Sequence, residues 1–190
     1  MTENTSTENK KKNKIILIIT GYLILYGVFE LMAKLTGDTT LPRNALLITI
    51  CVLAAAVVAE LVFFKSKFSE LVKVLGLGKP DAKAIIASLV ITLSLFLCYP
   101  LITLITGYNF IIPDNWLMLA IGVFALHGIA EEVLYRGFLF RRLRKGRSFW
   151  KAAWIAVILF SVAHIPILIN QGLLVGGMAV SLAIVSSFPF

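Results

Sequence analysis

Glu131 and Glu132 stand side by side at the end of an apolar run, Trp116 to Ala130, in a stretch that reads His-Gly-Ile-Ala-Glu-Glu-Val-Leu-Tyr-Arg-Gly from His127 to Gly137. Ionisable groups are costly in hydrocarbon, roughly 2.5–3.5 kcal/mol for Asp, Lys or Arg at the centre of a membrane helix. Two adjacent acids in such a place need partners or a use. Residues four apart share a helical face, whereas neighbours point about 100° apart. Arg136 lies one helical turn beyond Glu132, and His127 one turn before Glu131. Glu132 is therefore expected to pair with Arg136, leaving Glu131 turned toward His127 and free to take a proton as a general base.

His164 is the second residue with chemistry to offer. It lies in Leu-Phe-Ser-Val-Ala-His-Ile-Pro, inside the uncharged run Ala152 to Ile169 and one turn beyond Phe160. The chain has 2 histidines, both in apolar runs that hold or adjoin the glutamates. A carboxylate and an imidazole converging in a helix bundle can polarise a water. Glutamate would act as base, and histidine as donor to an oxyanion or as a metal ligand. Other uses fit the same residues. A lone buried histidine is more often a hydrogen-bonded packing residue, Glu132 with Arg136 could be an ion pair that fixes helix register, and Glu131 with His164 could line a proton or ion path. Few polar residues lie deep in the other runs, which counts against a conducting path.

These residues must be held by membrane helices. The chain is 59% hydrophobic and 15% charged, with a mean hydropathy of +0.92, whereas soluble domains are about 45–50% apolar and roughly a quarter charged. The apolar runs mostly reach the ~20 residues needed to span a bilayer, and they lack the dyad alternation of a transmembrane barrel. An all-α polytopic bundle of six spans follows, at about 15–36, 44–64, 83–107, 115–135, 152–169 and 172–190. Glu30 and Glu60 fall toward the ends of the first two spans, where water is close, and read as unremarkable. Cys51 and Cys98 read as small packing residues. Pro100 is expected to kink the third span, Tyr108 to Trp116 to form a turn with aromatic residues at headgroup depth, and Phe68 to Leu75 to lie at the interface as a short amphipathic element.

The net charge of +8 is distributed as topology requires. Lys10, Lys11, Lys12 and Lys14 precede the first span. Lys65, Lys67, Lys73, Lys79 and Lys83 fill the second loop, and Arg141, Arg142, Arg144, Lys145, Arg147 and Lys151 the fourth. Basic loops stay in the cytoplasm, so the N-terminus is expected inside. This accounts for the charge without nucleic acid, which is not an expected partner; membrane lipids are, and the plasma membrane is the expected location. Residues 1–14 are polar and basic and are expected to form a disordered tail, followed by one membrane domain over 15–190.

Glu131-Glu132-Val-Leu-Tyr-Arg136 and Phe160-Ser-Val-Ala-His164 resemble, in order and spacing, the Glu-Glu-x-x-x-Arg and Phe-x-x-x-His motifs of the CPBP intramembrane proteases, the type II CAAX prenyl endopeptidase and Abi group. The resemblance covers about Asn115 to Val185. It implies a membrane-embedded endopeptidase acting on a membrane-associated peptide or lipidated, CAAX-type protein. Glu131 would activate the attacking water, Glu132 would pair with Arg136, and His164 would assist at the water or oxyanion. It leaves open whether a divalent metal such as zinc takes part. Members of the group usually carry a third motif, a histidine followed four residues later by asparagine or a similar polar residue. No histidine follows His164, and the chain ends at Phe190 where that element should begin. The expectation is therefore a chain cut short at its C-terminus or an incomplete active site. His127 could substitute for the absent histidine. A catalytically inactive relative, acting in bacteriocin immunity or as an accessory membrane protein, is the alternative to a peptidase.

Overall fold

Helices account for the secondary structure of the computed structural model, which describes residues 2–79, 81–107 and 111–186. α1 is Thr2–Thr36 and α2 Pro42–Phe64; a 3-10 turn, Phe68–Glu70, leads into the short α3, Leu71–Val74, and α4 is Ala82–Thr106. α5 runs over Trp116–Arg144, α6 is Phe149–Ala163 and α7 Ile165–Ser186. α1 begins well before its apolar text, so the structure carries helix through the polar stretch where the sequence points to a disordered tail. Lys and Glu are good helix formers, and such a stretch extends a helix already nucleated by the span that follows.

Four segments are long and apolar enough to cross a membrane: Asn13–Thr36, Pro42–Phe64, Trp116–Arg144 and Phe149–Asn170. The chain is an integral membrane protein. The third and sixth expected spans fall on α4 and on the latter part of α7; α7 is broken at Gly172, where φ is +79°, a conformation that glycine adopts without a Cβ clash. Pro100 lies inside α4. In the expected aromatic turn, Tyr108, Asn109 and Phe110 lie outside the described residues, as do 187–190 at the end of the sixth span.

The core forms where α1, α2, α5 and α6 meet. Ile18, Tyr22 and Leu25 of α1 pack with Ala56 and Ala59 of α2, with Leu134, Tyr135, Phe138 and Leu139 of α5, and with Ala152, Ala156 and Phe160 of α6. Apolar burial gives little drive for helix association in lipid, where the tails are as apolar as leucine, so close packing at small residues carries more of it. Alanines one turn apart on α2 and on α6 fit that requirement. Two glycines of α5 do the same against backbone. A Cβ on Gly122 would strike the Thr40 carbonyl in the turn after α1, and one on Gly137 would strike the Leu75 carbonyl.

The amphipathic element at Phe68 to Leu75 is thus docked on the bundle. Leu71 and Leu75 are buried, and Arg141 of α5 donates to the Lys73 carbonyl at 2.8 Å. Two readings of charge are corrected in the same region. Glu60 is fully buried and not near water, and Arg142, assigned by sequence to a loop, is buried on α5, because the two form an ion pair. The pairing extends α5 well past residue 135, where the fourth span was expected to end.

Candidate active site

α5 has an uneven backbone around the two glutamates. Over Ala120–His127 and again over Glu132–Phe140 its hydrogen bonds widen to the i, i+5 pattern, and between them lies one ordinary helical turn, Gly128–Glu131. Glu131 closes that turn and Glu132 opens the next wide stretch. Departures of this kind are sparse in helices and frequent at functional sites.

The expected pairing of Glu132 with Arg136 is present, and Glu131 lies on the side of His127. Arg136 Nη1 donates to Glu132 Oε1 at 2.5 Å, with the Arg136 side chain 38% and the Glu132 side chain 53% exposed. Glu131 is less accessible, at 32%, and His127 Nε2 lies 3.9 Å from its Oε1. The two are thus close enough for electrostatic contact and too far for a direct hydrogen bond. The His127 ring meets the edge of Phe29 from α1 at 4.7 Å between centroids. Its Nδ1 is buried and has no hydrogen-bond partner among the described residues.

His164 sits at the junction of α6 and α7. Its Nδ1 lies 2.9 Å from the Phe160 carbonyl oxygen. A carbonyl only accepts, so this nitrogen carries the hydrogen, and Nε2 of the neutral ring is left with a lone pair. The rings of Phe160 and His164 are 4.5 Å apart, and Tyr135 meets Phe160 edge-on, also at 4.5 Å. Tyr135 is one turn beyond Glu131 on α5. The two motifs are therefore joined through Tyr135 and Phe160, and among the described residues no direct Glu131 to His164 contact is present.

Tyr135 and the α1 aromatics, Tyr22 and Phe29, escaped the sequence reading. The available signals were the tyrosine inside the Glu-Glu-x-x-x-Arg stretch and the stripe Tyr22, Tyr26, Phe29 on one face of the first span. Among the described residues no group of three or more His, Cys, Asp or Glu side chains comes together. The described residues therefore do not assemble the ligands of a zinc cage.

Comparison with curated proteins and with solved structures finds no match. Residues 113–187, which carry both motifs and include α5 and α6, are similar to the family model described as Type II CAAX prenyl endopeptidase Rce1-like, which bears out the resemblance.

Proposed function

We propose that the protein is an intramembrane endopeptidase that cleaves a membrane-associated peptide, lipidated or not, by glutamate-activated water. The observation that carries this reading is the unequal fate of the two acids. Glu132 is taken up by Arg136, whereas Glu131 is partly buried and faces an imidazole. Glu131 would take a proton from a water as that water attacks the scissile carbonyl. The Nε2 lone pair of His164 would accept a hydrogen bond from the water and help orient it for attack. Collapse of the intermediate breaks the C–N bond, and the proton held by Glu131 passes to the leaving amine. His127 would hold the Glu131 carboxylate.

The surrounding architecture is proposed as one membrane domain over residues 15–190 with six spans, an N-terminus in the cytoplasm and a plasma-membrane location, because the basic clusters then all face the cytoplasm. The test is cleavage of prenylated and unprenylated CAAX peptides by the full chain in phospholipid vesicles. Product is expected with the wild type and not with His164→Ala; no product from the wild type with either peptide would contradict the reading.

One observation favours a second reading. Tyr135 and Phe160 stand between the motif residues, which suits a family member that binds a membrane peptide without cutting it, as in bacteriocin immunity. Its mark would be a protective phenotype that survives both Glu131→Gln and His164→Ala.

A further inference from the structure

The segment matching the endopeptidase family begins at residue 113, yet the surroundings of Glu131 are completed by α1. His127 and Tyr135 flank Glu131 at one turn on either side, and each is met by an aromatic ring of α1. Phe29 lies 4.7 Å from His127, and Tyr22 lies 5.8 Å from Tyr135. Tyr22 and Phe29 are seven residues apart and share a face of α1. Antiparallel packing of α1 on α5 thus places one brace above and one below the carboxylate. Tyr22 also reaches the other motif helix: its hydroxyl donates to the Leu159 carbonyl at 3.4 Å, immediately before Phe160, whose own carbonyl holds His164. Tyr26 stacks on Tyr22 at 6.1 Å with planes 16° apart, which restricts its ring.

We infer that Tyr22 is a positioning residue that fixes the Glu131 helix against the His164 helix, so that α1 is a working part of the site. Tyr22 is buried, and it makes one contact to each motif-bearing helix. The inference rests on the peptidase reading for its catalytic consequence, and on the geometry alone for the helix placement.

The test uses the full chain with Cys51 and Cys98 replaced by serine and spin labels at the exposed positions Ile129 on α5 and Val162 on α6, in vesicles. Tyr22→Phe removes only the hydroxyl, and Tyr22→Ala removes the ring. A narrow distance distribution is expected in the parent, broader in Tyr22→Phe and broadest in Tyr22→Ala. In the cleavage assay, Tyr22→Phe should lower kcat about fivefold with KM unchanged, the scale of one lost hydrogen bond. A distribution as narrow in both variants as in the parent, or an unchanged kcat in an active protein, would overturn the inference. If the wild type cleaves nothing, the peptidase reading fails while the distance measurement still decides the role of Tyr22.

Discussion

Glu60 and Arg142 form a buried ion pair that ties α2 to the end of the motif helix. Arg142 Nε donates to Glu60 Oε1 at 2.7 Å, and Nη2 pairs with the other carboxylate oxygen. Ser66 closes the arrangement, giving its hydroxyl hydrogen to Glu60 Oε2 at 2.7 Å and accepting from Arg142 Nη2 at 2.8 Å. The guanidinium lies over the Phe64 ring at 4.0 Å. Two-pronged, charge-assisted bonding of this kind needs the planar fork of arginine.

Removing one partner leaves an uncompensated buried charge. Glu60→Ala or Arg142→Ala should destabilise the protein by about 3–5 kcal/mol, and the joint change to Glu60→Leu with Arg142→Met by much less. Thermal unfolding in detergent reads both; a double variant as unstable as either single one would refute the argument.

Glu132 and Arg136 present the opposite case, since both side chains are more than a third exposed. Such a pair stabilises by about 1 kcal/mol at most. Glu132→Gln should leave the melting temperature nearly unchanged and reduce cleavage less than the same change at Glu131. Equal losses at the two positions would remove the distinction between them.

Much of the site could be read from the sequence because its contacts are local. The Glu132 to Arg136 pair and the approach of His127 to Glu131 both follow from residues one helical turn apart. What could not be read is what crosses between helices. Glu60 and Arg142 are separated by 82 residues, and no local periodicity links an acid near one span's end to an arginine in a basic cluster. Charge counting places both near water. Tyr135 against Phe160, and Tyr22 against both motif helices, depend on how α1, α5 and α6 pack. The helical class was readable because hydrocarbon leaves the backbone few alternatives, while the widened backbone around Glu131 has no signature in residue type.

Asp38, in the turn between α1 and α2, gives a pH dependence of known sign. Its carboxylate accepts from the Thr40 hydroxyl at 2.6 Å and the Thr40 N–H at 2.9 Å, and these bonds hold its pKa below the ordinary aspartate range. A depressed folded pKa contributes stability above the unfolded value, about 3.9, that is lost as pH falls through the folded one. The wild type should therefore lose more melting temperature than Asp38→Asn as the pH is lowered from about 5 to 3. Parallel curves would show that Asp38 contributes nothing.

If Glu131 activates the water, as proposed, its loss should stop the reaction at the proton-transfer step. The most direct measurement is the initial rate of peptide cleavage in vesicles by the wild type and by Glu131→Gln, at equal amounts of inserted, folded protein. The glutamine keeps the shape and cannot take the proton, so the rate should fall by about two to four orders of magnitude. A Glu131→Gln protein that cleaves at the wild-type rate would contradict the account.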